Sequence, residues 1–183
     1  MMLFTGKFGA VMETIGIRKA DIADIDRLQH ISRLTFSQAF AADNAEENMQ
    51  AYLQEAFSTE KLAAELRDPC SVFYFAIRNN DIIGYLKLNF GPSQTDIKDD
   101  TALEIERIYV LAEFHGKKVG QLLFEKALEV ALQRGARYIW LGVWEHNHKA
   151  IAFYSKNGFL PFDEHIFLLG TDPQTDIMMR RDL

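Results

Sequence analysis

The chain has 183 residues, of which 48% are hydrophobic and 25% are charged, a composition that predicts one soluble globular domain with its own core. No apolar run approaches the ~20 residues that a membrane helix needs, so a membrane-spanning protein is not expected. The formal net charge of −6 argues against nucleic acid as the main partner, because phosphate contacts need clustered lysine and arginine. It suits a cationic substrate better.

Cysteine and histidine usage limits the possible chemistry. Cys70 is the single cysteine, which rules out an internal disulfide and favours a reducing cytoplasm. His146 and His148 form a His-x-His pair without a third ligand nearby in the sequence. We therefore expect no metal site.

The N-terminus is poor material for a secretory signal. Residues 1–11 hold one lysine and a weak apolar patch that Gly6 and Gly9 interrupt. We interpret residues 1–11 as a ragged extension, since Met12 could begin the first strand by itself. One domain is then expected over residues 12–183.

The first third of the chain predicts a short strand and three helices. Residues 15–18 are β-prone, and apolar residues then recur every three or four positions over 21–35, which predicts the first helix. The same spacing predicts a second helix over 44–57 and a third over 59–67, which Pro69 closes.

The middle of the chain predicts a β-hairpin. Strands over 71–77 and 82–90 are joined by an Arg-Asn-Asn-Asp sequence of a kind that favours tight turns. The segment 91–101 is polar and contains Pro92, so we expect a mobile loop there.

The second half predicts a strand–helix–strand unit. A strand over 103–110 leads to a helix over 119–134, for which Gly135 is a natural C-terminal cap. Residues 138–144 are almost wholly apolar, as expected of a strand buried on both faces. A helix over 148–156 and antiparallel strands over 159–169 and 176–181 follow. The predicted fold class is α/β, with a mixed sheet flanked by helices.

A basic turn flanked by glycines precedes the helix over 119–134. Gly116 and Gly120 enclose Lys117 and Lys118, and a helix N-terminus offers unpaired N–H groups that can hold a pyrophosphate. The pattern alone is weak, because neither of the common glycine-rich nucleotide motifs is present. A glycine-bearing loop before a basic surface helix explains it equally well.

A phenol lies on one face of the helix that follows the apolar strand. Asn147, Ala150, Ile151 and Tyr154 recur at helical spacing and therefore share that face. A plain core position is the alternative for Tyr154.

On these features the chain resembles the GCN5-related N-acetyltransferase (GNAT) family over nearly its whole length. The turn from His115 to Gln121 is similar to the family's pyrophosphate-binding turn, and residues 147–159 match its second motif closely. The turn departs twice, because His115 replaces the usual arginine or glutamine and Lys118 replaces the first motif glycine. The resemblance implies the GNAT fold, a single domain with a mixed, mostly antiparallel twisted sheet.

The resemblance also implies acetyl-CoA as co-substrate and a set of residues that bind it. The strand that ends at Val110 would expose backbone groups to the pantetheine arm, Asn147 would contact that arm, and Tyr154 would lie by the thioester sulfur. The implied cofactor-binding residues are Ile108, Tyr109, Val110, His115, Gly116, Lys117, Lys118, Val119, Gly120, Gln121, Asn147, Ala150 and Tyr154.

A narrower likeness is to the bacterial PaiA-type polyamine acetyltransferases. It rests on residues 35–36, 47–57, 103–110 and 139–145, which form longer and more particular motifs than the family-wide ones. The implied acceptors are spermidine and spermine.

Acetyl transfer needs a neutral amine, yet an alkylamine of pKa ~10.4 is only about one part in a thousand unprotonated at neutral pH. Glu104 and Glu106 alternate on one face of an apolar strand, and we predict that at least one of them takes the proton. An ion pair between Glu106 and Arg107 is the alternative. The N–H of Val110 is the candidate oxyanion donor, and Tyr154 is the candidate acid for the departing thiolate.

Two other functions stay open on the sequence. The acceptor could be a protein N-terminus or a lysine, and the altered turn at Lys118 leaves room for a CoA-binding sensor without catalysis, although Tyr154 counts against it. The expected partner is a small amine substrate. We expect no binding to nucleic acid or to a membrane. A homodimer is a possible assembly.

Overall fold

The computed structural model describes residues 14–183, so the expected extension over residues 1–11 and the start at Met12 lie outside the described residues. Seven strands form one sheet: β1 (Gly16–Lys19), β2 (Ser71–Arg78), β3 (Asp81–Phe90), β4 (Ala102–Val110), β5 (Tyr138–Trp144), β6 (Leu160–Leu169) and β7 (Asp172–Asp182). Their spatial order is β1-β2-β3-β4-β5-β7-β6, and within residues 14–183 only β4 and β5 run parallel. The predicted α/β class and mostly antiparallel mixed sheet are confirmed.

In the described part of the chain, five α-helices cover the two faces of the sheet: α1 (Ile25–Phe40), α2 (Glu46–Ala56), α3 (Thr59–Arg67), α4 (Val119–Gln133) and α5 (His148–Lys156). The first three pack on one side, here called the α1 face, and the last two pack on the other, the α4 face. No helix within residues 14–183 is both long and apolar enough to cross a membrane.

Local sequence accounts for several element boundaries. Ser58 caps α3 by accepting a hydrogen bond from the N–H of Lys61, and Gly135 ends α4 with a φ of +68°. Asn79 and Asn80 take positive φ values of 50° and 70°, which suits the tight turn of the predicted β2–β3 hairpin.

The segment over 91–101, which we expected to be mobile, is instead held against the sheet. Gln94 is 1% exposed and accepts a 2.6 Å hydrogen bond from the indole N–H of Trp140. The N–H of Thr95 donates to Glu104 at 2.9 Å, and the hydroxyl of Tyr138 donates to Asp99 at 3.0 Å. The polar residues of this segment satisfy buried groups of β4 and β5, which is why their polarity misled the prediction.

The parallel strands β4 and β5 pair over only three residues each and then diverge. Residues 102–104 of β4 pair with 138–140 of β5, and the two strands then separate. The space between residues 105–110 of β4 and 141–144 of β5 is here called the β4–β5 gap. It lies between the two larger hydrophobic clusters, one on each face of the sheet.

Candidate active site

The edge of β4 that faces the gap exposes backbone hydrogen-bonding groups. The N–H of Leu111 donates to the carbonyl of Ile83 on the other side, at 2.9 Å. Because N–H groups alternate between the two edges of a strand, those of Ile108 and Val110 face the gap. The Val110 carbonyl is held by Nε2 of His115 at 2.8 Å, which ties the following turn to the strand. An extended ligand with amide groups could pair with this edge as another strand would.

The N-terminus of α4 lies just beyond the end of β4 and is not capped. Lys118 occupies the cap position without a side-chain hydrogen bond, and the first helical bond runs from Leu122 N–H to the Lys118 carbonyl at 3.1 Å. The N–H groups of Val119, Gly120 and Gln121 therefore have no acceptor within the described chain. Together with the helix dipole, these donors suit a phosphate group.

Gly120 and Lys118 show how the backbone of this turn depends on glycine or on a glycine-like conformation. A Cβ built on Gly120 would meet no atom within 4 Å, so the protein's own packing does not require glycine at that position. Its missing side chain keeps the approach to the helix N–H groups open. Lys118, at the position where the resemblance expects glycine, adopts a left-handed conformation with φ 64°. The turn thus keeps its shape at a cost of about 1–2 kcal/mol.

Some predicted cofactor-binding side chains are already engaged within the protein. Val119 is 1% exposed in the core, so it can offer only its backbone. The Gln121 amide donates to Oδ1 of Asn157 at 3.2 Å. Asn147 caps α5, since its Oδ1 accepts from the N–H of Ala150 at 3.2 Å. The amide nitrogen of Asn147 has no partner in the described residues and can donate to a ligand.

Tyr154 approaches the gap from the α4 face. Its ring packs between Phe153 and Phe159, and the side chain is 7% exposed. The hydroxyl has no hydrogen-bond partner among residues 14–183. Burial raises the pKa of Tyr154 well above its usual value, so the phenol stays protonated and can act as a donor. Burial raises the pKa of Tyr109 on β4 well above its usual value, and the phenols of Tyr85, Tyr52 and Tyr154 raise it further, which places Tyr154 near the β4 edge of the gap.

Glu106 belongs to a buried cluster of four charges on the α1 face. Its carboxylate lies 2.6 Å from Nζ of Lys87 and 2.9 Å from Arg107, and both cations also contact Glu65 of α3. A bulge between β3 and β4 places Glu106 and Arg107 on the same face. Asn89 donates to both Glu104 and Glu106, as expected if the two carboxylates share a face.

These contacts give the two predicted bases different properties. Burial alone would raise the pKa of Glu106, but Arg107 and Lys87 outweigh it and bring the pKa to about 2. The ion pair that the sequence left open is therefore present, and it makes Glu106 a weak base. Burial raises the pKa of Glu104, which accepts hydrogen bonds from Thr95 and fixes the 91–101 segment.

Asp176 on β7 and His165 on β6 are not among the site residues predicted from the sequence. Both lie over Gly142 of β5, beside the gap and on the α1 face. A glycine within an otherwise bulky apolar strand was the one signal in the sequence that could have pointed to them.

Comparisons with known proteins agree with this architecture. Residues 27–159 match the model of the Acetyltransferase (GNAT) family. The chain is 38% identical over 172 residues to an uncharacterized N-acetyltransferase of Lactobacillus delbrueckii subsp. lactis, covering 94% of this chain and 99% of the relative. It is 28% identical over 150 residues to spermidine N(1)-acetyltransferase of Thermoplasma acidophilum, covering 80% of this chain and 88% of the relative.

A solved structure is similar over almost the whole chain. It is the PaiA N-acetyltransferase from Thermoplasma acidophilum in complex with coenzyme A, with a TM-score of 0.77 and 26% identity over 93% of this chain and 99% of that one. The open β4 edge and the uncapped helix N-terminus fit such a ligand. The chain therefore belongs to the GNAT acetyltransferase family, and it is an acetyl-CoA-dependent N-acetyltransferase.

Proposed function

We propose that the acetyl acceptor is a small polyamine such as spermidine or spermine. The similarity to a spermidine N(1)-acetyltransferase and the net charge of −6 both favour a cationic acceptor. We also propose a reducing cytoplasm as the compartment, because the chain has a single cysteine.

The observation that carries the acceptor proposal is an aromatic wall on the α1 face of the gap. Tyr109 belongs to β4 and Trp144 to β5, and the ring of Phe40 from α1 lies 6.3 Å from the first and 6.1 Å from the second. Aromatic faces attract ammonium groups and also pack against methylene chains. A flexible alkyl chain with several ammonium groups matches both properties.

We assign acetyl-CoA to the β4–β5 gap, which it would enter from the α4 face, opposite the aromatic wall. The N–H groups of Val119, Gly120 and Gln121 would hold its pyrophosphate, and the backbone of Ile108 and Val110 would pair with the pantetheine arm. This arrangement would bring the thioester between β4 and β5.

The proposed reaction is direct attack of the amine on the thioester in a ternary complex. The neutral amine nitrogen forms a bond to the carbonyl carbon, and the N–H of Val110 stabilises the oxyanion. The C–S bond then breaks, and Tyr154 donates its proton to the departing thiolate.

A panel of acceptors tests the proposal. Purified protein is supplied with acetyl-CoA and spermidine, spermine, a monoamine of similar length, or a peptide with a free N-terminus and a lysine, and the release of free CoA thiol is followed. Polyamines should exceed the monoamine at least ~10-fold in kcat/KM, about 1.4 kcal/mol, and the advantage should shrink as salt rises. Equal rates for mono- and polyamines, insensitive to salt, would favour a protein-acetylating enzyme. Binding of CoA without turnover of any amine would favour the alternative of a non-catalytic CoA-binding sensor.

We also propose that the chain forms a homodimer through β6. This strand is an edge of the sheet, and Leu160, Ile166 and Leu168 on it are 72%, 63% and 62% exposed. An apolar edge strand with unpaired backbone groups is a natural pairing surface for a second copy. Light scattering should give a dimer that Ile166→Lys disrupts, whereas a monomeric parent protein would contradict the proposal.

A further inference from the structure

A histidine and two carboxylates from separate segments meet on the α1 face. Nδ1 of His165 lies 3.1 Å from Oδ2 of Asp96 without the geometry of a hydrogen bond, and its Nε2 lies 3.7 Å from Oδ2 of Asp176. The side chain of Asp96 is 42% exposed, whereas that of Asp176 is only 17% exposed. The three groups therefore form a line from solvent to a mostly buried carboxylate.

The buried end of this line lies over Gly142 of β5, which borders the β4–β5 gap. Gly142 lies in the part of β5 beyond its pairing with β4. A Cβ at Gly142 would lie 3.2 Å from Cε1 of His165 and 3.3 Å from Oδ2 of Asp176, so the missing side chain leaves room for both groups. Tyr154 approaches the same gap from the α4 face. A group at the thioester would thus have Asp176 on one side and Tyr154 on the other.

The Asp176 carboxylate lacks a hydrogen-bond donor within the described chain. Its ion-pair partner, Nε2 of His165, is 3.7 Å away, which is too long for a hydrogen bond. Buried polar groups are nearly always hydrogen-bonded, and an unpaired buried charge is costly. An ammonium group entering from the gap would supply the missing donor.

We propose that Asp176 binds the ammonium group of the acceptor and removes its proton, and that His165 passes this proton toward Asp96 and solvent. The inference rests on the proposed function, since it identifies the base for transfer to an amine. Asp176 is then a catalytic residue, because it contacts the reacting nitrogen. His165 is a positioning and relay residue.

Every proton released in this step has an acceptor. One N–H bond of the ammonium breaks and its proton binds a carboxylate oxygen of Asp176, which leaves a neutral amine to attack the thioester. The Asp176 proton reaches Nε2 of His165 through a bridging water, because the 3.7 Å separation is too long for direct transfer, and the proton on Nδ1 leaves toward Asp96 and water after a turn of the ring. The nitrogen loses a second proton as the amide forms, which balances the proton that Tyr154 gives to sulfur.

Electrostatics favour Asp176 over Glu106 as the base, and the oxygens of the third candidate, Glu104, already accept hydrogen bonds from Thr95. Burial raises the pKa of Asp176 to about 6, with His165 lowering it and Asp96 raising it, while Tyr52 of α2 also lies near enough to interact. The pKa of Glu106 is about 2, so Asp176 binds a proton about 10⁴-fold more tightly. A base is most effective when its pKa lies near the working pH.

The first experiment compares pH–rate profiles of Asp176→Asn with those of the parent and of Asp163→Asn, an exposed aspartate on the same hairpin. Asp176→Asn should lower kcat/KM for spermidine by ~10²- to 10⁴-fold at neutral pH. The deficit should shrink at alkaline pH, where more of the amine is already neutral, and the acidic limb near pH 6 should disappear. Acetyl-CoA affinity should stay unchanged, as should the kinetics of Asp163→Asn. Parent-like rates and an unchanged profile in Asp176→Asn would overturn the proposal.

The second experiment tests the relay with His165→Ala and added imidazole. Loss of the relay should slow turnover about 10-fold, and free imidazole should restore part of the rate because it can carry the proton instead. A merely structural histidine would not be rescued in this way. Full activity without the histidine, or a loss that imidazole does not change, would overturn the relay.

Two further measurements separate this inference from folding and from the proposed function. Asp176→Asn should melt at no lower temperature than the parent, because it removes a mostly buried charge that accepts no hydrogen bond within the described residues. If the parent protein turns over no amine, calorimetry of spermidine binding to the CoA-loaded protein still tests Asp176. Binding at least ~10-fold tighter in the parent than in Asp176→Asn supports the ammonium site, and equal affinity overturns it.

Discussion

Replacing Glu106 by glutamine should destabilise the protein strongly. The buried cluster contains two cations, Lys87 and Arg107, and two carboxylates, Glu65 and Glu106. Both cations are less than 8% exposed, at 4% and 7%. The substitution leaves one unbalanced buried positive charge, for which the expected cost is about 3–5 kcal/mol.

The pKa of Glu106 gives an independent value for its contribution to the free energy of unfolding. A shift from 4.5 to about 2 corresponds to about 3 kcal/mol of stability. Because the pKa is lower in the folded state, this contribution is fully present above about pH 4.5 and is lost as the pH falls toward 2. The free energy of unfolding of the parent should therefore fall with acid across this window, and that part of the fall should be absent from Glu106→Gln.

Urea unfolding at several pH values measures both effects. Glu129→Gln, which removes an exposed partner of Lys126, is the matched control and should change stability little. In the double variant Lys87→Met/Glu106→Gln, the remaining Arg107 and Glu65 balance each other, so most of the loss should be recovered. A Glu106→Gln protein with parental stability and parental acid sensitivity would refute the assigned ion-pair cluster.

Three further predictions concern the gap and its turn. Tyr154→Phe should lower kcat by ~10- to 10⁴-fold with little change in acetyl-CoA binding, and an unchanged kcat would remove the phenol from the mechanism. Lys118→Gly should raise the free energy of unfolding by ~1 kcal/mol by relieving the left-handed conformation, whereas Lys118→Ala should not; calorimetric melting distinguishes them. Both variants should weaken acetyl-CoA binding by ~1–2 kcal/mol, and equal affinity would make Lys118 a plain surface residue. Asp176→Asn should increase the free energy of unfolding at neutral pH by up to about 3 kcal/mol. The pKa of Asp176 is about 6 in the folded state, above its usual 3.8, so ionisation of this carboxyl opposes folding as the pH rises. Lower stability of the variant in urea would contradict this.

Local sequence patterns predicted the elements that frame the site. Apolar spacing gave α5, and an apolar run gave β5, because each pattern depends on residues close together in the chain. The turn before α4 was also recognisable, although its left-handed Lys118 was not. The sequence could show that a glycine is missing there, but not that lysine adopts the same backbone conformation.

The parts that escaped prediction depend on long-range pairing. Glu106 meets Arg107 through a bulge that no periodicity shows, so its ion pair could only be left as an alternative. Asp96, His165 and Asp176 come from a loop and two strands, and they meet because β7 inserts between β5 and β6. The antiparallel pairing of the last two strands was predictable, but this insertion was not.

The most direct test is a crystal structure with a bisubstrate ligand in which a spermidine nitrogen is joined to CoA through an acetyl linker. We expect the pyrophosphate to lie on the N–H groups at the start of α4, the pantetheine arm to pair with Ile108 and Val110, and the linked nitrogen to lie within hydrogen-bond distance of Asp176. A polyamine chain that leaves the gap away from Asp176, with the nitrogen beside Glu106 or Glu104, would contradict it.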